Sequence, residues 1–203
     1  MGAVVLATRN KGKIAELSAM LEGFHLEVRG LDDYPEIGEI VEDGETFAEN
    51  AEKKARVVAE ATGLVAVADD SGLEVDALDG APGVHSARYS GEDATDAANN
   101  AKLLAALDGL PRQQRTARFR CVMVAYAPNG ERLVSSGAWE GHIAAAPRGA
   151  GGFGYDPLFV DLESDRHAAE MTREAKNALS HRGKAMRELL ENWHEFWAGT
   201  GLE

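Results

Sequence analysis

The sequence predicts an α/β fold with a mixed β-sheet, and three observations support this prediction. A short apolar segment, residues 3–8, precedes residues with helical periodicity. A capped helix after Thr46 leads into the apolar segment 64–68, which contains β-branched residues typical of strands. Two apolar segments, 117–127 and 132–141, flank an Asn-Gly dipeptide of the kind favoured in β-hairpin turns. A hairpin beside buried central strands indicates a sheet that is not purely parallel.

The first predicted element is a short buried strand over residues 3–8. Ile14, Leu17 and Leu21 then recur at helical spacing, and Gly23 offers a C-terminal stop for that helix. The polar residues between the two elements therefore occupy a strand-to-helix turn.

The next predicted helix has the clearest end signals in the chain. Thr46 and Glu49 form the S/T-x-x-E capping box, and Gly63 follows the last helical turn. The apolar segment 64–68 after it is predicted to be a central strand that ends abruptly at Asp69. Polar residues are therefore expected to cluster at the end of that strand.

The remaining elements are a helix over residues 92–108, a hairpin with a two-residue turn at Asn129-Gly130, and a terminal helix. Residues 146–157 are too glycine-rich for a regular element, yet contain two aromatic residues, so we expect a ligand-binding loop. An apolar helical stripe near the C-terminus predicts that the terminal helix packs on the sheet. The stripe consists of Met186, Leu189, Leu190, Trp193 and Trp197.

Length and composition favour one domain over residues 1–203, located in the cytoplasm. Acidic residues outnumber basic ones by 34 to 21, so we expect no nucleic-acid and no membrane partner. Cys121, the only cysteine, lies in an apolar segment and is expected to be a buried, inert thiol, as suits a reducing compartment. No segment has the pattern of a signal peptide or membrane span.

The strand-to-helix turn contains hydroxyl, amide and ammonium donors that can bind phosphate groups, namely those of Thr8, Asn10, Lys11 and Lys13. Helix N-termini favour anions, although a solvated basic turn explains the same residues about equally well. The spacing is not that of a Walker A loop, which disfavours a P-loop kinase or GTPase.

Carboxylates near the predicted central strand are candidate Mg²⁺ ligands, because this ion takes one or two protein carboxylates along with phosphate and water oxygens. The candidates are Glu42, Asp69 and Asp70, with helix caps and turns as the alternative interpretation. Since adjacent strand residues point to opposite faces, we expect one of the two aspartates to be a direct ligand and the other a supporting residue.

Donors also converge near a predicted helix bend over residues 172–184. Lys176, His181 and Arg182 are close in sequence there, and Ser180 can cap a second helix. A solvated charged helix explains these residues as well. A zinc site at His181 is disfavoured, because no second histidine follows at helical spacing and no cysteine is near.

Taken together, these segments resemble the inosine triphosphate pyrophosphatase family over nearly the whole chain. The matching segments are TRNKGK (8–13), ETFAENAEKKA (45–55), ADDSGLEVDALDGAPGVHSARYSG (68–91), GGFGYDPLF (151–159) and SHRGKA (180–185). The resemblance implies an elongated α/β fold with a long mixed sheet, two lobes around a central cleft, Mg²⁺ as cofactor and a homodimer. It also implies hydrolysis of ITP, dITP and XTP to the monophosphate and pyrophosphate, which removes deaminated purines from the nucleotide pool.

The resemblance assigns roles to individual residues. Asp70, Lys13 and Lys54 match catalytic positions, Glu42 and Asp70 match metal ligands, and Asp69 matches a supporting acid. The remaining matches are to positions that bind the substrate. They are Thr8, Arg9, Asn10, Lys11, Gly12, Lys13, Ser71, Phe153, Gly154, Tyr155, Asp156, Lys176, His181 and Arg182.

Two alternative functions remain open at this point. A Maf-like nucleotide pyrophosphatase would have related chemistry with a different base preference, although the SHR and GGFGYDP segments argue against it. A nucleotide-sensing protein would bind a triphosphate without hydrolysing it. A nucleic-acid-binding module is disfavoured, because the chain is acidic and its cationic residues are dispersed.

Overall fold

The computed structural model describes residues 2–202, apart from the side chains of residues 12, 16, 19, 20 and 22. The ends of the predicted domain, Met1 and Glu203, lie outside the described residues. The strands are β1 (Ala3–Leu6), β2 (Glu27–Gly30), β3 (Val65–Val75), β4 (Thr116–Tyr126), β5 (Arg132–Ile143) and β6 (Phe159–Asp161). The helices are α1 (Lys11–Leu21), α2 (Phe47–Thr62), α3 (Asp96–Ala106), α4 (Arg173–Leu179), α5 (His181–Glu191) and α6 (Trp193–Thr200).

The strands form one sheet in the order β2-β1-β3-β4-β5-β6. β1 pairs in parallel with both β2 and β3, so that Val4 lies opposite Val28 and Val65. β5 pairs antiparallel with β6, with Ile143 opposite Phe159. The predicted mixed sheet is therefore confirmed. Val4 is fully buried, as expected for a strand of a parallel region covered on both faces.

The predicted strand-to-helix turn is confirmed, but the helix after it ends differently. α1 buries Leu17 and Leu21 and then tightens into a short 3₁₀ turn, Glu22–Phe24. The residue with left-handed backbone is His25, with φ 55°, rather than Gly23. The prediction that Gly23 ends the helix was wrong, because the 3₁₀ turn includes Gly23 and the left-handed residue comes two positions later, at His25.

Helix α2 begins and ends where the sequence predicts. The Thr46 side chain accepts a hydrogen bond from the Glu49 amide, and the Glu49 carboxylate accepts one from the Thr46 amide. Such a cap stabilises a helix by about 1 kcal/mol. Gly63 ends the helix with φ 67°, a conformation that costs glycine little because it has no β-carbon.

Strand β3 is longer than predicted. The sequence indicated a strand that ends at Asp69, whereas β3 continues through Asp69 and Asp70 to Val75. Leu73 and Val75 are fully buried, so the apolar alternation resumes after the polar residues. The strand tolerates its two carboxylates because each is paired with a polar side chain from a neighbouring helix.

Strands β4 and β5 form the predicted hairpin with a longer loop. The Ala127 amide donates to the Glu131 carbonyl at 2.9 Å, so three residues, 128–130, connect the paired ends instead of two. Gly130 has φ 91°, which agrees with a three-residue hairpin whose last loop residue is left-handed. The Asn-Gly signal thus predicted the position of the turn but not its type.

The C-terminal stripe is divided between two helices rather than one. α5 and α6 are separated at Asn192, whose φ of −102° and ψ of 5° depart from helical values. Leu189 and Trp193 on either side of the break are both buried, which confirms that the stripe packs into the core. The predicted helix over residues 92–108 is α3, capped by Thr95.

The chain divides into two compact units. The first unit comprises residues 1–70, 122–136 and 185–203, and the second comprises residues 71–121 and 137–184. A cluster of Val5, Leu31, Ile37, Val58, Ala59 and Ala66 lies in the core of the first unit. The core of the second includes Leu73, Leu103, Leu107, Trp139, Phe159 and Leu158.

Cys121 is fully buried and forms no disulfide, as predicted. Within residues 2–202, none of the helices combines the length and the apolar character needed to cross a bilayer.

Candidate functional site

The turn before α1 is held in shape by two of the predicted phosphate-binding side chains. Thr8 Oγ1 accepts from the Asn10 amide at 3.1 Å, and Asn10 Oδ1 accepts from the Lys13 amide at 3.2 Å. Asn10 therefore caps the helix, and its predicted contact with a phosphate group stays a prediction. Lys11 is exposed, whereas Gly12 lies in the first turn of α1 and its surroundings are outside the described residues.

Arg9 holds the loop that follows β2. Its guanidinium donates to the Leu31 carbonyl at 3.0 Å and to the Ile37 carbonyl at 2.7 Å, and it also contacts Asp32. These bonds link the predicted phosphate turn to the chain that leads toward Glu42. The structure gives Arg9 a positioning role, while its predicted contact with substrate stays a prediction.

Lys13 and Asp69 form an ion pair between α1 and β3. Lys13 Nζ lies 2.8 and 2.9 Å from the two oxygens of Asp69. The side chains are only 28% and 11% exposed, so solvent screens this pair less than it would a surface pair. The pairing holds the ammonium group of Lys13 beside β3.

The ammonium group of Lys54 in α2 lies close to both predicted metal ligands, Glu42 and Asp70. Its Nζ donates to the Asp69 carbonyl at 2.8 Å and lies 3.2 Å from Glu42 Oε1 and 4.0 Å from Asp70 Oδ1. The Lys54 side chain is only 12% exposed. Glu42 and Asp70 therefore both lie near one ammonium group, while their binding of a metal ion stays a prediction.

Asn50 is the buried partner of Asp70. Its Nδ2 donates to Asp70 Oδ2 at 3.0 Å, and its Oδ1 accepts from the Gly44 amide at 2.8 Å. Only 1% of Asn50 is exposed. Asp69 thus binds Lys13 and Asp70 binds Asn50, while the division into a direct metal ligand and a supporting residue stays a prediction.

The donor set of this cluster fits a hard divalent cation. Glu42 and Asp70 offer carboxylate oxygens, the ligands that Mg²⁺ prefers, and Mg²⁺ commonly uses only one or two of them. Within the described part of the chain, no group of three or more His, Cys, Asp and Glu side chains converges. A metal here would therefore complete its coordination with water and phosphate oxygens.

A second group of predicted residues lies around Phe153, whose side chain is 60% exposed. Asp156 accepts from the Phe153 amide at 2.9 Å and forms an ion pair with Lys176. Lys176 Nζ lies 5.2 Å from the centre of the Phe153 ring, and Arg182 Cζ lies 5.9 Å from it. The structure brings four predicted substrate contacts together, with cations beside an accessible ring face.

Helix α3 holds the loop that carries Phe153. Asp96 Oδ2 accepts from the Gly154 amide at 2.7 Å, and Asn100 Nδ2 donates to the Gly154 carbonyl at 2.9 Å. A β-carbon at Gly152 would lie 2.0 Å from Asp156 Oδ2, so only glycine fits beside that carboxylate. The glycine-rich loop is therefore fixed in place by side chains from outside it.

Tyr155 is buried and has a structural role. Its hydroxyl donates to the Ser86 carbonyl at 2.8 Å, and burial, aided by nearby Tyr89 and Asp96, raises the pKa of Tyr155. The hydroxyl is therefore a fixed donor in the core. Contact of Tyr155 with a substrate stays a prediction.

The predicted helix bend is present between α4 and α5. Ser180 Oγ accepts from the Gly183 amide at 3.1 Å, which confirms Ser180 as a cap. His181 is buried and stacks on Phe119, with ring centres 4.9 Å apart. A β-carbon at Gly183 would lie 1.9 Å from the Asn177 carbonyl oxygen, so the bend requires glycine. Ser71 follows Asp70 in β3 and is half-buried.

Asn50, Asp96 and Asn100 were not predicted from the sequence as site residues. A signal for Asn50 was available, because it follows Phe47 by three residues on the apolar stripe of α2, and both are buried. An asparagine on such a stripe must find hydrogen-bond partners. For Asp96 and Asn100 no signal exists, because they bind backbone groups that are distant in sequence.

The chain is similar to known proteins over nearly its whole length. The family model described as the Ham1 family matches residues 4–192. A dITP/XTP pyrophosphatase of Nitratidesulfovibrio vulgaris is 62% identical over 202 residues, covering 97% of this chain and 98% of that protein. A dITP/XTP pyrophosphatase of Geobacter sulfurreducens is 55% identical, covering 98% and 99%. The solved structure of a HAM1 protein from Coxiella burnetii is 44% identical, covers 96% of this chain and 100% of that chain, and superposes with a TM-score of 0.90.

Proposed function

The chain belongs to the Ham1 family, and from this premise we propose that it hydrolyses deaminated purine nucleoside triphosphates. The substrates are ITP, dITP and XTP, and the products are the nucleoside monophosphate and pyrophosphate. The observation that carries the proposal is the cluster in which Lys54 gathers Glu42 and Asp70 beside the Lys13–Asp69 pair. Hydrolysis of these nucleotides keeps them out of DNA and RNA.

The lysines supply the charge that a triphosphate requires. A nucleoside triphosphate carries about four negative charges, and attack by water adds charge around the phosphorus atom. Preorganised ammonium groups at that position stabilise the transition state more than they would in water. Lys13 and Lys54 are held by Asp69 and are therefore preorganised without a ligand.

Asp70 is the proposed proton acceptor. The oxygen of a water molecule bonds to the α-phosphorus, the bond between that phosphorus and the bridging oxygen breaks, and the proton of the water passes to an Asp70 oxygen. Pyrophosphate leaves with the bridging oxygen, and Lys13 and Lys54 stabilise its charge. Thr8, Asn10 and Lys11 contribute donors to the phosphate groups.

Glu42 and Asp70 are the residues that would hold Mg²⁺, in keeping with the donor set described above. When bound, this ion would neutralise charge on the phosphate oxygens and polarise the phosphorus.

The second unit is proposed to select the base. Phe153 stacks on the purine, and Arg182 donates to the 6-oxo group that hypoxanthine and xanthine share. Adenine presents an amino group there, and a donor facing a donor costs about 1–3 kcal/mol per unpaired group. Lys176, Asp156 and His181 complete this set of polar and stacking groups.

A test of the proposal is turnover of ITP, dITP, XTP, ATP and GTP with Mg²⁺, with detection of pyrophosphate. We expect a much higher kcat/KM for the three deaminated nucleotides. Equal efficiency on all five, or release of orthophosphate, would overturn the proposal. Preference for pyrimidine or modified nucleotides would instead support a Maf-like enzyme, and tight binding without turnover would support a sensor.

Two finer features belong to the same proposal. The acidic composition and single buried cysteine suit an enzyme of the cytoplasm, where nucleotide pools are located. A homodimer is proposed from the family resemblance, and sedimentation of the purified protein tests it.

A further inference from the structure

We infer that Asn50 is a positioning residue that aligns Asp70 with the chain segment bearing Glu42. The catalytic consequence rests on the proposed function, whereas the alignment itself rests on geometry. Asn50 lies in α2 and is 1% exposed, and the other buried residues that α2 contributes around it, Phe47 and Ala51, are apolar. A buried amide of this kind requires a partner for both its ends.

The two ends of the Asn50 side chain have opposite hydrogen-bonding character. Its NH₂ group donates to Asp70 Oδ2 at 3.0 Å, and its carbonyl oxygen accepts from the Gly44 amide at 2.8 Å. Among side chains of this size, asparagine alone offers a donor and an acceptor on one planar group. Aspartate keeps the acceptor and loses the donor, and leucine loses both.

The segment that bears Glu42 passes directly over Asn50. A β-carbon at Gly44 would lie 2.7 Å from Asn50 Oδ1 and 2.9 Å from the Glu49 β-carbon. Glycine at this position therefore allows the backbone to approach the amide closely. Because Gly44 is two residues from Glu42, the hydrogen bond to Gly44 also constrains where Glu42 can lie.

Asp70 is oriented by the same amide. Asn50 holds Oδ2, and the other oxygen, Oδ1, lies 4.0 Å from Lys54 Nζ. Lys54 Nζ in turn lies 3.2 Å from Glu42 Oε1. One neutral side chain thus binds the Asp70 carboxylate directly and also the backbone two residues from Glu42. Residues that orient metal-binding carboxylates in this way typically change metal affinity or activity by about 10–100-fold when replaced.

Asn50→Asp tests the hydrogen bond to Asp70 independently of the one to Gly44. This variant keeps the shape and the acceptor for Gly44 but removes the donor to Asp70. We expect kcat for dITP to fall about 10–100-fold while KM for dITP changes less than about 3-fold. The matched control is Asn99→Asp in α3, which is 3% exposed and also joins a backbone amide to backbone carbonyls.

The control separates positioning from loss of stability. Both variants place a new carboxylate in a buried position, so both are expected to lower the melting temperature. Only Asn50→Asp is expected to lower kcat in assays run well below either melting temperature. Equal kcat in the wild type and Asn50→Asp, or an equal fall of kcat in both variants, would overturn the inference.

A second measurement does not depend on turnover. Asn50→Leu removes both hydrogen bonds without adding charge, and Mn²⁺ binding can be followed by water-proton relaxation in the absence of nucleotide. We expect the dissociation constant for Mn²⁺ to rise about 10-fold or more relative to the wild type. Unchanged Mn²⁺ affinity in Asn50→Leu would overturn the inference. If the wild type binds Mn²⁺ but hydrolyses none of the nucleotides, the proposed function fails and this measurement still decides the role of Asn50.

Discussion

The two units carry their candidate functional groups in different ways. In the first unit Lys13, Asp69 and Asp70 project from α1 and β3, and they are held by side-chain pairs such as Lys13–Asp69 and Asn50–Asp70. Lys54 projects from α2, whereas Glu42 lies in the irregular segment before that helix. In the second unit the exposed ring of Phe153 lies on an irregular loop, and α3 fixes that loop through the backbone of Gly154. Side chains on helices and strands are held more rigidly than those on loops.

The difference suggests a division of labour that mutagenesis can test. Rigid charged groups suit transition-state stabilisation, which requires donors in place before the reaction begins. A loop held at its backbone suits recognition of the base. Changes in the first unit should therefore lower kcat, and changes in the second should mainly raise KM.

Replacing the proposed proton acceptor should have the largest effect. We expect Asp70→Asn to lower kcat about 10²–10⁴-fold, because the amide can still accept from Asn50 but cannot take a proton. Steady-state turnover of dITP with saturating Mg²⁺ measures this. Asp76→Asn makes the same chemical change at an exposed carboxylate of the second unit and should leave kcat within about 3-fold. Near-normal turnover of Asp70→Asn would refute the role of base.

Removal of the charge of Lys13, a residue proposed to bind phosphate, should rank second. Lys13→Met keeps the length of the side chain and should lower kcat/KM for dITP about 10²–10³-fold, as loss of an electrostatic stabiliser does. Lys53→Met is the control, because Lys53 pairs with Asp43, which is largely exposed, and such surface pairs contribute about 0–1 kcal/mol. An equal loss in both variants would indicate a general effect of charge instead.

Loosening the loop that carries Phe153, which is proposed to bind the base, should have a smaller effect of a different kind. Asp96→Ala removes the acceptor for the Gly154 amide, whereas Asn100 still donates to the Gly154 carbonyl. Because the loop keeps this second hydrogen bond, we expect KM for dITP to rise only about 3–10-fold with kcat little changed. Asp96→Asn keeps an acceptor and should restore most of the lost affinity. A fall in kcat with unchanged KM would contradict the division of labour.

The smallest effect concerns stability at low pH. Burial, together with the nearby charges of Arg112 and His167, lowers the pKa of His142 in β5, although Asp165 opposes this. The unfolded chain therefore binds the proton first as pH falls below 6.5, and the contribution of neutral His142 to stability is lost below that value. His142→Asn should make the melting temperature less dependent on pH between 7.5 and 5. An unchanged slope would show that His142 does not contribute.

Local signals predicted much of the fold. Thr46, Glu49 and Gly63 define α2 because capping depends on neighbouring residues. The predicted end of β3 was wrong, because two consecutive aspartates are typical of the residues that follow a strand. Within β3 they are stabilised by partners from α1 and α2, which sequence alone does not reveal. The break at Asn192 was also missed, because the apolar stripe continues across it.

The residues of the candidate site that belong to sequence motifs were predicted, whereas those that act through contacts formed on folding were not. Motif matching proposed Lys54, Glu42 and Asp70, and the structure brings them together around one ammonium group. Asn50 and Asp96 could not be assigned in this way, since their roles depend on backbone amides that approach only after folding.

The alternating direction of side chains along β3 limits which deletions the gene can tolerate. Asp69 pairs with Lys13 and Asp70 with Asn50, and successive side chains of a strand alternate in direction. Deleting a single codon between residues 64 and 68 would shift the register by one place and exchange the two faces, even though both acids would still be encoded. In-frame deletions within codons 64–68 should therefore be as rare among viable alleles as substitutions that remove Asp69 or Asp70.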